Sequence, residues 1–306
     1  MVLWQVTEQD AAQRAVQLQY GNGLSDTRLF NPYTDRLDNR MLAAAGDAAR
    51  IQEGYQYDVL GNVTKRIQYW DATGGGFQED FGYDELNRLT SSQVEGLAPA
   101  QPFTYSYDAA GNLLGKTGVG SGTAGSYHYP AQGAAAIRPH AVQSVDGVGS
   151  FSYDNNGNLS SGPSGGTNVW NSFDMPSQIS NNGAKATFVY GAEHQRTYQS
   201  RTDATGKAST VVYAGAQEVT TDVGGTTVKT YWPGGIGVEI DKPGAGTSEL
   251  DWTHTDRLGS VIAISGSDGS LTERLAYDAW GKRRTTDGSS TPNSLVGKTD
   301  DRGFTG

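Results

Sequence analysis

Short runs in which aromatic residues alternate with small or polar residues recur along the chain and predict β-strands. The runs Phe103–Tyr107 and Gly149–Tyr153 are two examples. An alternation with a period of two places every second side chain on one face of a sheet. Each of these runs is followed at once by an Asp and, three residues later, by a Gly. We therefore expect short strands joined by short turns.

One seven-residue pattern repeats: a Tyr, an Asp, two variable positions, a Gly or Asn, a polar residue and, in most copies, an aliphatic residue. It begins at Tyr57, Tyr83, Tyr107, Tyr153 and Tyr277. The first three copies begin roughly 25 residues apart, the length of a strand–turn–strand unit. A degenerate copy begins at Phe173. Because one hairpin is only marginally stable alone, successive units are expected to stack into a continuous sheet.

The spacing Asp-x-x-Gly is typical of a hairpin tip. It occurs at 11 of the 23 Asp residues, whereas the glycine content alone would give about three. The Asp side chain accepts backbone N–H bonds, and the fourth residue takes a left-handed conformation that Gly, and next Asn, adopts most easily. The predicted turn residues are Asp58, Gly61, Asp84, Asn87, Asp108, Gly111, Asp154, Gly157, Asp256, Gly259, Asp278 and Gly281. Positive φ is expected at Gly61, Asn87, Gly111, Gly157 and Gly281.

Three further segments depart from this repeat or add to it. Asp268-Gly269, between two apolar runs, predicts a two-residue hairpin turn. Residues 35–52 have a helix-like composition that Gly46 interrupts, so a helix there is an alternative to strand. Residues 115–125 are rich in Gly and Ser, which indicates a mobile loop or a place where a partner approaches closely.

Composition and charge exclude several kinds of protein. The 306 residues include 42 Gly, 16 Tyr and no Cys, which excludes a disulfide scaffold, a thiolate metal site and a Cys nucleophile. The formal net charge of −10 argues against a broad nucleic-acid surface. No apolar run has the length of a membrane span, and residues 1–10 do not have the composition of a signal peptide.

The end of the chain adds a more specific signal. The series consists of His254-Thr-Asp256-Arg-Leu-Gly259-Ser260-Val261, then Tyr277-Asp278-Ala-Trp280-Gly281-Lys-Arg283-Arg284, then Arg302-Gly303-Phe304-Thr305-Gly306. This ordered series resembles the start of the RHS-associated core, and the repeats resemble the YD repeats of the RHS family. The resemblance covers about residues 16–306.

The resemblance implies a fold and a function. It implies an all-β chain of stacked YD-repeat hairpins that form a curved, strip-like sheet, part of a hollow RHS shell or cocoon. Bacterial RHS proteins and Tc toxin C components enclose a variable C-terminal toxin, whereas the related teneurins act in cell-surface adhesion. Residues 1–250 correspond to the repeat region and residues 251–306 to a truncated start of the core. The self-cleaving Asp-Pro segment of the family would follow Gly306 and has no residues here.

The candidate chemistry is sparse. No nucleophile–base set or metal-ligand spacing is present, so we expect no catalytic residue, metal or cofactor, and no enzyme. The four His residues share no ligand spacing, and His254 is expected to make a half-buried orienting hydrogen bond. The stretch 154–158 weakly resembles a calcium loop but lacks its later Glu, and residues 120–125 match G-x-G-x-x-G without a helix to open. The basic run 282–284 fits a solvated edge, or else contact with an anionic lipid or glycan.

The tryptophans allow two interpretations. They either bury against neighbouring strands or face a cavity, where they could stack on sugars or hold an unfolded passenger. The candidates for such contacts are Trp170, Trp232, Trp252 and Trp280.

The favoured hypothesis is therefore a non-enzymatic segment of an RHS shell that encapsulates and helps deliver a C-terminal polymorphic toxin. The alternative is a freestanding surface adhesion or carbohydrate-binding module. The expected partners are the rest of the shell and a toxin passenger. Self-association through open sheet edges and a glycan are further possibilities, with no nucleic acid and no membrane span. We expect the protein in the cytoplasm before export, and then secreted or on the cell surface by a route that needs no signal peptide.

Overall fold

The computed structural model describes residues 2–70, 75–97, 102–119, 125–244, 246, 248–289 and 304. Their regular structure is antiparallel strand, with two short 3-10 turns at Pro163–Gly165 and Pro233–Gly235. The long sheets are not closed into a barrel, and the predicted all-β class is confirmed. No helix among the described residues is long and apolar enough to cross a membrane.

The chain divides into two compact units. The first comprises Met1–Pro102, Tyr231–Glu239 and Glu249–Gly306, and the second comprises Phe103–Thr230 and Ile240–Ser248. The division suggested by the family motifs, at residue 250, falls inside a strand. The structure groups the chain differently because residues 249–289 share a hydrophobic core with the N-terminal strands.

Eight strands of the first unit lie side by side in chain order, as consecutive hairpins predict. They are β1 Trp4–Gln9, β2 Ala15–Tyr20, β3 Leu24–Phe30, β4 Leu37–Ala44, β5 Ala49–Tyr57, β6 Val63–Trp70, β7 Gly75–Tyr83 and β8 Leu89–Val94. The helix considered for residues 35–52 does not form, since β4 and β5 occupy most of that segment. Leu42 pairs with Ile51 and Arg40 with Glu53, and all four side chains are buried on one face.

The second unit consists of shorter strands. They are β9 Phe103–Tyr107, β10 Leu113–Lys116, β11 Tyr127–His128, β12 Ser144–Val145, β13 Gly149–Ser150, β14 Ser152–Tyr153, β15 Leu159–Ser161, β16 Thr167–Trp170, β17 Pro176–Asn181, β18 Ala184–Tyr190, β19 Arg196–Thr202, β20 Ala208–Ala214, β21 Gln217–Asp222 and β22 Gly225–Tyr231. From β14 to β22 each strand pairs with the next. Few of its described side chains are buried: Tyr105, Asn112, Ser126, Val145, Gln199, Val211 and Ile240.

The remaining strands follow β22 in the chain. They are β23 Gly237–Asp241, β24 Ser248–Thr255, β25 Val261–Ser265, β26 Leu271–Arg274, β27 Ala276–Tyr277 and β28 Arg283–Arg284. β24, β25 and β26 form successive antiparallel pairs, and β27 pairs with β28. Side chains of these strands and of β2–β8 form one hydrophobic cluster that includes Leu42, Ile51, Trp70, Trp252 and Ile262. The first unit is therefore a two-layer structure with a hydrophobic core between the layers.

Candidate functional site: capped turns and a charged core

The turn at Asp58 shows how the repeated motif works. The Oδ1 atom of Asp58 accepts the backbone N–H groups of Leu60, Gly61 and Asn62 at 2.9, 2.7 and 2.9 Å. The side-chain amide of Asn62 donates to the other carboxylate oxygen at 2.8 Å, and this bond lowers the pKa of Asp58. Gly61 has a φ of 100°. Both carboxylate oxygens are thus used inside the turn, which is a structural role.

The same geometry recurs at the other predicted turns. The residue four positions after the Asp donates its backbone N–H to that carboxylate at Arg88, Asn112, Asn158, Ser260 and Lys282. The side chains of Arg88, Asn112 and Asn158 also donate a hydrogen bond to the second carboxylate oxygen. From the sequence alone, this polar position of the repeat had no assigned role. The five residues for which positive φ was predicted have values of 100, 60, 88, 93 and 83° in chain order. That prediction is confirmed.

The degenerate copy at Phe173 is displaced from its predicted register. Asn171, not Asp174, caps the turn, because its side-chain oxygen accepts the backbone N–H groups of Phe173 and Met175 at 2.9 and 3.1 Å. Asp174 occupies the left-handed position with a φ of 58°. An amide oxygen caps as a carboxylate does, so a search for Asp alone misses this turn.

The predicted two-residue hairpin at Asp268-Gly269 is also wrong. The N–H of Gly266 donates to the carbonyl of Ser270, and that of Gly269 donates to the carbonyl of Gly266, each at 3.0 Å. These are the backbone bonds of the common capped turn, with Gly266 at its first position and Gly269 at the left-handed one. Asp268 instead accepts the N–H of Ser270 at 2.9 Å.

The tyrosine of the motif bonds to earlier backbone in at least four of the five copies, a role that the sequence analysis missed. The Tyr57 hydroxyl donates to the carbonyl of Leu37 at 2.8 Å, and the Tyr83 hydroxyl donates to that of Val63 at 2.9 Å. Tyr153 and Tyr277 make the same kind of bond to Val142 and Val261. Burial raises the pKa of Tyr57, Tyr83 and Tyr153, so these phenols stay protonated donors. The preference for Tyr over Phe at this position was the available signal.

Adjacent turns are also bonded to one another. The amide of Asn62 donates to the side-chain oxygen of Asn87 at 2.8 Å, and that of Asn158 donates to Asp174 at 2.7 Å. Hydrogen bonds therefore join neighbouring capped turns at these two places along the ends of the strands.

A buried charge network crosses the core of the first unit. Arg40 donates to Asp26 on one neighbouring strand at 3.0 Å and to Glu53 on the other at 2.9 Å. The exposed fraction of these three side chains is at most 3%. Burial disfavours the charged form of Asp26, but the charge of Arg40 outweighs it and lowers the pKa of Asp26 to about 2. Burial raises the pKa of Glu53, which also accepts the Tyr55 hydroxyl at 2.7 Å.

The second half of the network is centred on Glu79. Its carboxylate accepts a hydrogen bond from Arg66 of β6 and another, 3.0 Å long, from Arg284 of β28. Arg66 and Arg40 also donate to backbone carbonyls of the C-terminal segment, at Tyr277 and Thr255. The network therefore fastens the C-terminal strands to the N-terminal sheet. The basic run 282–284 is not wholly a solvated edge, as expected from sequence, because Arg284 is a buried partner of Glu79.

His254 lies deeper than expected. Its ring is fully buried, hydrogen-bonded to the Ser265 hydroxyl at 2.8 Å and in edge contact with Tyr20. Burial and the nearby charge of Arg40 lower the pKa of His254 to about 3, so the ring is neutral at physiological pH. The His–Ser pair has no access for a substrate, which makes its role structural.

The tryptophans separate into two groups. Trp232 and Trp252 contact each other in the core with 9% and 0% of their surfaces exposed. Neither can stack on a sugar, so the suggested glycan contact is wrong for these two. Trp170 is half-buried, with its indole N–H bonded to the carbonyl of Leu159, and Trp280 is exposed. Only Trp170 and Trp280 remain accessible among the four candidates.

The structure describes only part of the segments singled out in the sequence. Residues 120–124 of the Gly/Ser-rich segment, which include most of the G-x-G-x-x-G match, lie outside the described residues, as do residues 302, 303, 305 and 306. Within the described part of the chain, no group of three His, Asp or Glu residues could hold a metal ion. The side chain of Asp154, in the stretch compared with a calcium loop, is fully used as a turn cap.

Comparison with known proteins gives a structural likeness alone. No family model matches the sequence, and no curated protein matches it. Among solved structures, the TcdB2-TccC3-Cdc42 crystal structure matches with a TM-score of 0.71 and 17% identity over 90% of this chain. The Photorhabdus luminescens Tc holotoxin pore gives the same TM-score and identity over 92%. TcdB2-TccC3 without its hypervariable C-terminal region matches with a TM-score of 0.66 and 15% identity. The chain has an RHS-like β fold and spans 16% of the length of each of these chains.

Proposed function

We propose that this chain is a non-enzymatic wall segment of an RHS-repeat shell that encloses a toxin passenger and takes part in its delivery outside the producing cell. The observation that carries the proposal is the match of nearly the whole chain to one sixth of much longer Tc toxin chains. A strip built from like units can be a wall of any length, because each unit bonds mainly to its neighbours.

The geometry of the repeat suits a wall. At Asp58 both carboxylate oxygens are satisfied within the turn, and at least four of the five motif tyrosines bond to earlier backbone, as Tyr57 does to Leu37. The strip therefore needs no ligand to hold its turns in place. Strands paired by hydrogen-bond ladders can form a wall between two aqueous spaces, and a wall of this kind needs no catalytic group. The rest of the shell and the passenger are the partners that this function requires.

Protease protection tests enclosure. The product of the whole reading frame that contains this sequence would be purified and digested under native conditions, then fragments would be identified by mass spectrometry. Enclosure predicts a C-terminal domain that resists digestion in the native protein and is cleaved rapidly once Glu79→Ala has loosened the first unit. Equal cleavage of that domain in both proteins would contradict enclosure, as would a reading frame that encodes no domain besides the repeats.

A further inference from the structure

Large apolar side chains stand at the tips of five capped turns of the first unit, those that begin at Asn31, Asp58, Asp84, Asp256 and Asp278. Tyr33 and Val59 are 94% and 96% exposed, and Leu60 and Leu86 are 68% and 67% exposed. The turns at Asp256 and Asp278 add two more tips, Leu258 and Trp280. Side chains of this kind are costly to leave in water, and clusters of them mark interaction surfaces.

The turn framework does not require these side chains. It uses only the backbone of the two variable positions, as the N–H of Leu60 shows. The second unit has the same framework with small or polar tips, Ala109-Ala110 and Asn155-Asn156. Among its described capped turns, large apolar tips occur at Phe173, which lies 4.3 Å from the His194 ring, and at Val223 in the turn capped by Asp222. The apolar tips of the first unit therefore serve something other than turn formation.

The tips belong to turns that lie together. The guanidinium of Arg36 lies against Gly61 of the next turn, and the amide of Asn62 bonds to Asn87 of the turn after it. Arg257, in the turn at Asp256, stacks over the Tyr55 ring at 5.5 Å. A cavity of about 220 Å³ is lined both by the flanks of the N-terminal turns and by the turns at Asp256 and Asp278. We call the six side chains the tip surface: Tyr33, Val59, Leu60, Leu86, Leu258 and Trp280.

If a partner covered the tip surface, few polar groups beneath it would lose their hydrogen-bond partners. The carboxylates beneath Leu60, Leu86 and Leu258 belong to Asp58, Asp84 and Asp256, and all three already accept backbone N–H groups. When water leaves these tips, the carboxylates beneath them keep their hydrogen bonds from the backbone. An interface here therefore gains apolar burial at a small polar cost.

The charges beside the tips indicate which partner fits. Glu85 is exposed beside Leu86 in the N-terminal turns, whereas Arg257 and Lys282 are exposed beside Leu258 and Trp280 in the C-terminal turns. No ion pair joins these three residues to any other described side chain. A surface with opposite charges on its two halves is complementary to itself when rotated about a two-fold axis. The formal net charge of −10 disfavours an anionic lipid surface.

We propose that the tip surface is a self-association interface, and that its occupant is the tip surface of a second copy of this chain. The N-terminal turns of one copy pack on the C-terminal turns of the other, with Glu85 facing Arg257 and Lys282. This contact differs from pairing of open strand edges, and it holds whether or not the chain encloses a passenger.

The first experiment compares oligomeric state. The tip variant replaces four apolar tips by asparagine, the residue found at tip positions 155–156. Its substitutions are Leu60→Asn, Leu86→Asn, Leu258→Asn and Trp280→Asn. The matched control Ile137→Asn, Val223→Asn removes two side chains that are each 77% exposed in the second unit. Sedimentation equilibrium should show a dimer for the natural chain and the control, with dimerisation at least about 100-fold weaker in the tip variant. Hydrogen exchange of the first unit checks that the tip variant is folded.

The second experiment exchanges charges. Glu85→Lys and Arg257→Glu should each weaken the dimer by about tenfold, and the double variant should restore it. A natural chain that stays monomeric at high concentration would overturn the proposal, as would a dimer that the tip variant leaves unchanged. If the monomer instead binds vesicles of neutral or anionic phospholipid through the same tips, the surface belongs to a membrane and the second-copy proposal is wrong.

Discussion

The two units contain the same capped hairpins, but the first buries far more side chain than the second. Among the described side chains with less than 2% exposure, all but Ser126 belong to the first unit, including Trp70, Trp252, His254 and Glu79. In the second unit most strand residues are half-buried. The repeat specifies strand order and turn geometry, whereas a fully buried core needs a second layer. Among the described residues, β24–β28 supply that layer, and they supply it to the first unit.

Removal of the central carboxylate of the charged core should have the largest effect. Glu79→Ala leaves Arg66 and Arg284 without their shared partner, and an uncompensated buried charge costs about 3–5 kcal/mol. Denaturant unfolding followed by hydrogen exchange would assign the loss to the first unit. The control Glu193→Ala, at an exposed turn of the second unit, should change stability by less than about 0.5 kcal/mol. Equal effects of the two changes would refute the contrast between the units.

Two tryptophans test the same contrast by cavity formation. Trp252→Ala removes a fully buried ring and should cost about 3–5 kcal/mol. Trp170→Ala removes a half-buried ring in the second unit, where about half that loss is expected because solvent fills the space. Thermal unfolding monitored by exchange in each unit measures both, and a larger loss for Trp170→Ala would contradict the burial difference.

Acid should weaken the first unit selectively. The folded pKa of His254 is lowered to about 3 from a value of 6.5, so its contribution to stability is complete above pH 6.5 and decreases as the pH falls. The expected loss by pH 4 is about 3 kcal/mol. His254→Gln should remove this slope between pH 6.5 and pH 4. The loss from Asp26, with a pKa near 2, begins only below about pH 4. A slope that persists in His254→Gln would assign acid sensitivity to other groups.

The tyrosine bonds allow a milder comparison. Tyr277→Phe deletes a fully buried hydroxyl and leaves the carbonyl of Val261 without that donor, which should cost about 1–2 kcal/mol. Tyr153→Phe deletes the equivalent bond in the second unit, where water can replace it, and should cost about 0.5 kcal/mol. Chemical denaturation of both variants would reveal whether burial, and not the bond itself, sets the difference.

The left-handed turn position should behave alike in both units. Asn87 and His194 have φ values of 60 and 58°, so Asn87→Gly and His194→Gly should each relieve strain by a few tenths of a kcal/mol. Gly157→Ala should lose about 1 kcal/mol for the same reason. Melting temperatures are sufficient for this test. A marked difference between the two glycine substitutions would mean that packing, not the turn, dominates there.

The repeat made the turn geometry predictable because it is local. Asp58 and Gly61 are three residues apart, and their bonds form within five residues of chain. Predictions failed where another residue type stands at the first turn position. Asn171 caps its turn with an amide oxygen, and Gly266 makes the backbone bonds of the turn without a side-chain cap. The tyrosine bonds were missed because their acceptors are carbonyls, which leave no trace in residue identity.

Residue patterns were enough to predict an all-β chain of successive hairpins, most of its capped turns and the five positions of positive φ. The burial of Arg40, Glu53 and Glu79, the ion pair of Arg284 and the place of Trp232 and Trp252 in a core emerge only in the folded chain. The physical reason is the separation along the chain between the residues that interact. Turn bonds join residues up to four apart, whereas Arg284 meets Glu79 across 205 residues of chain. No period in the sequence records such a distance, so only the folded second layer brings those charges together.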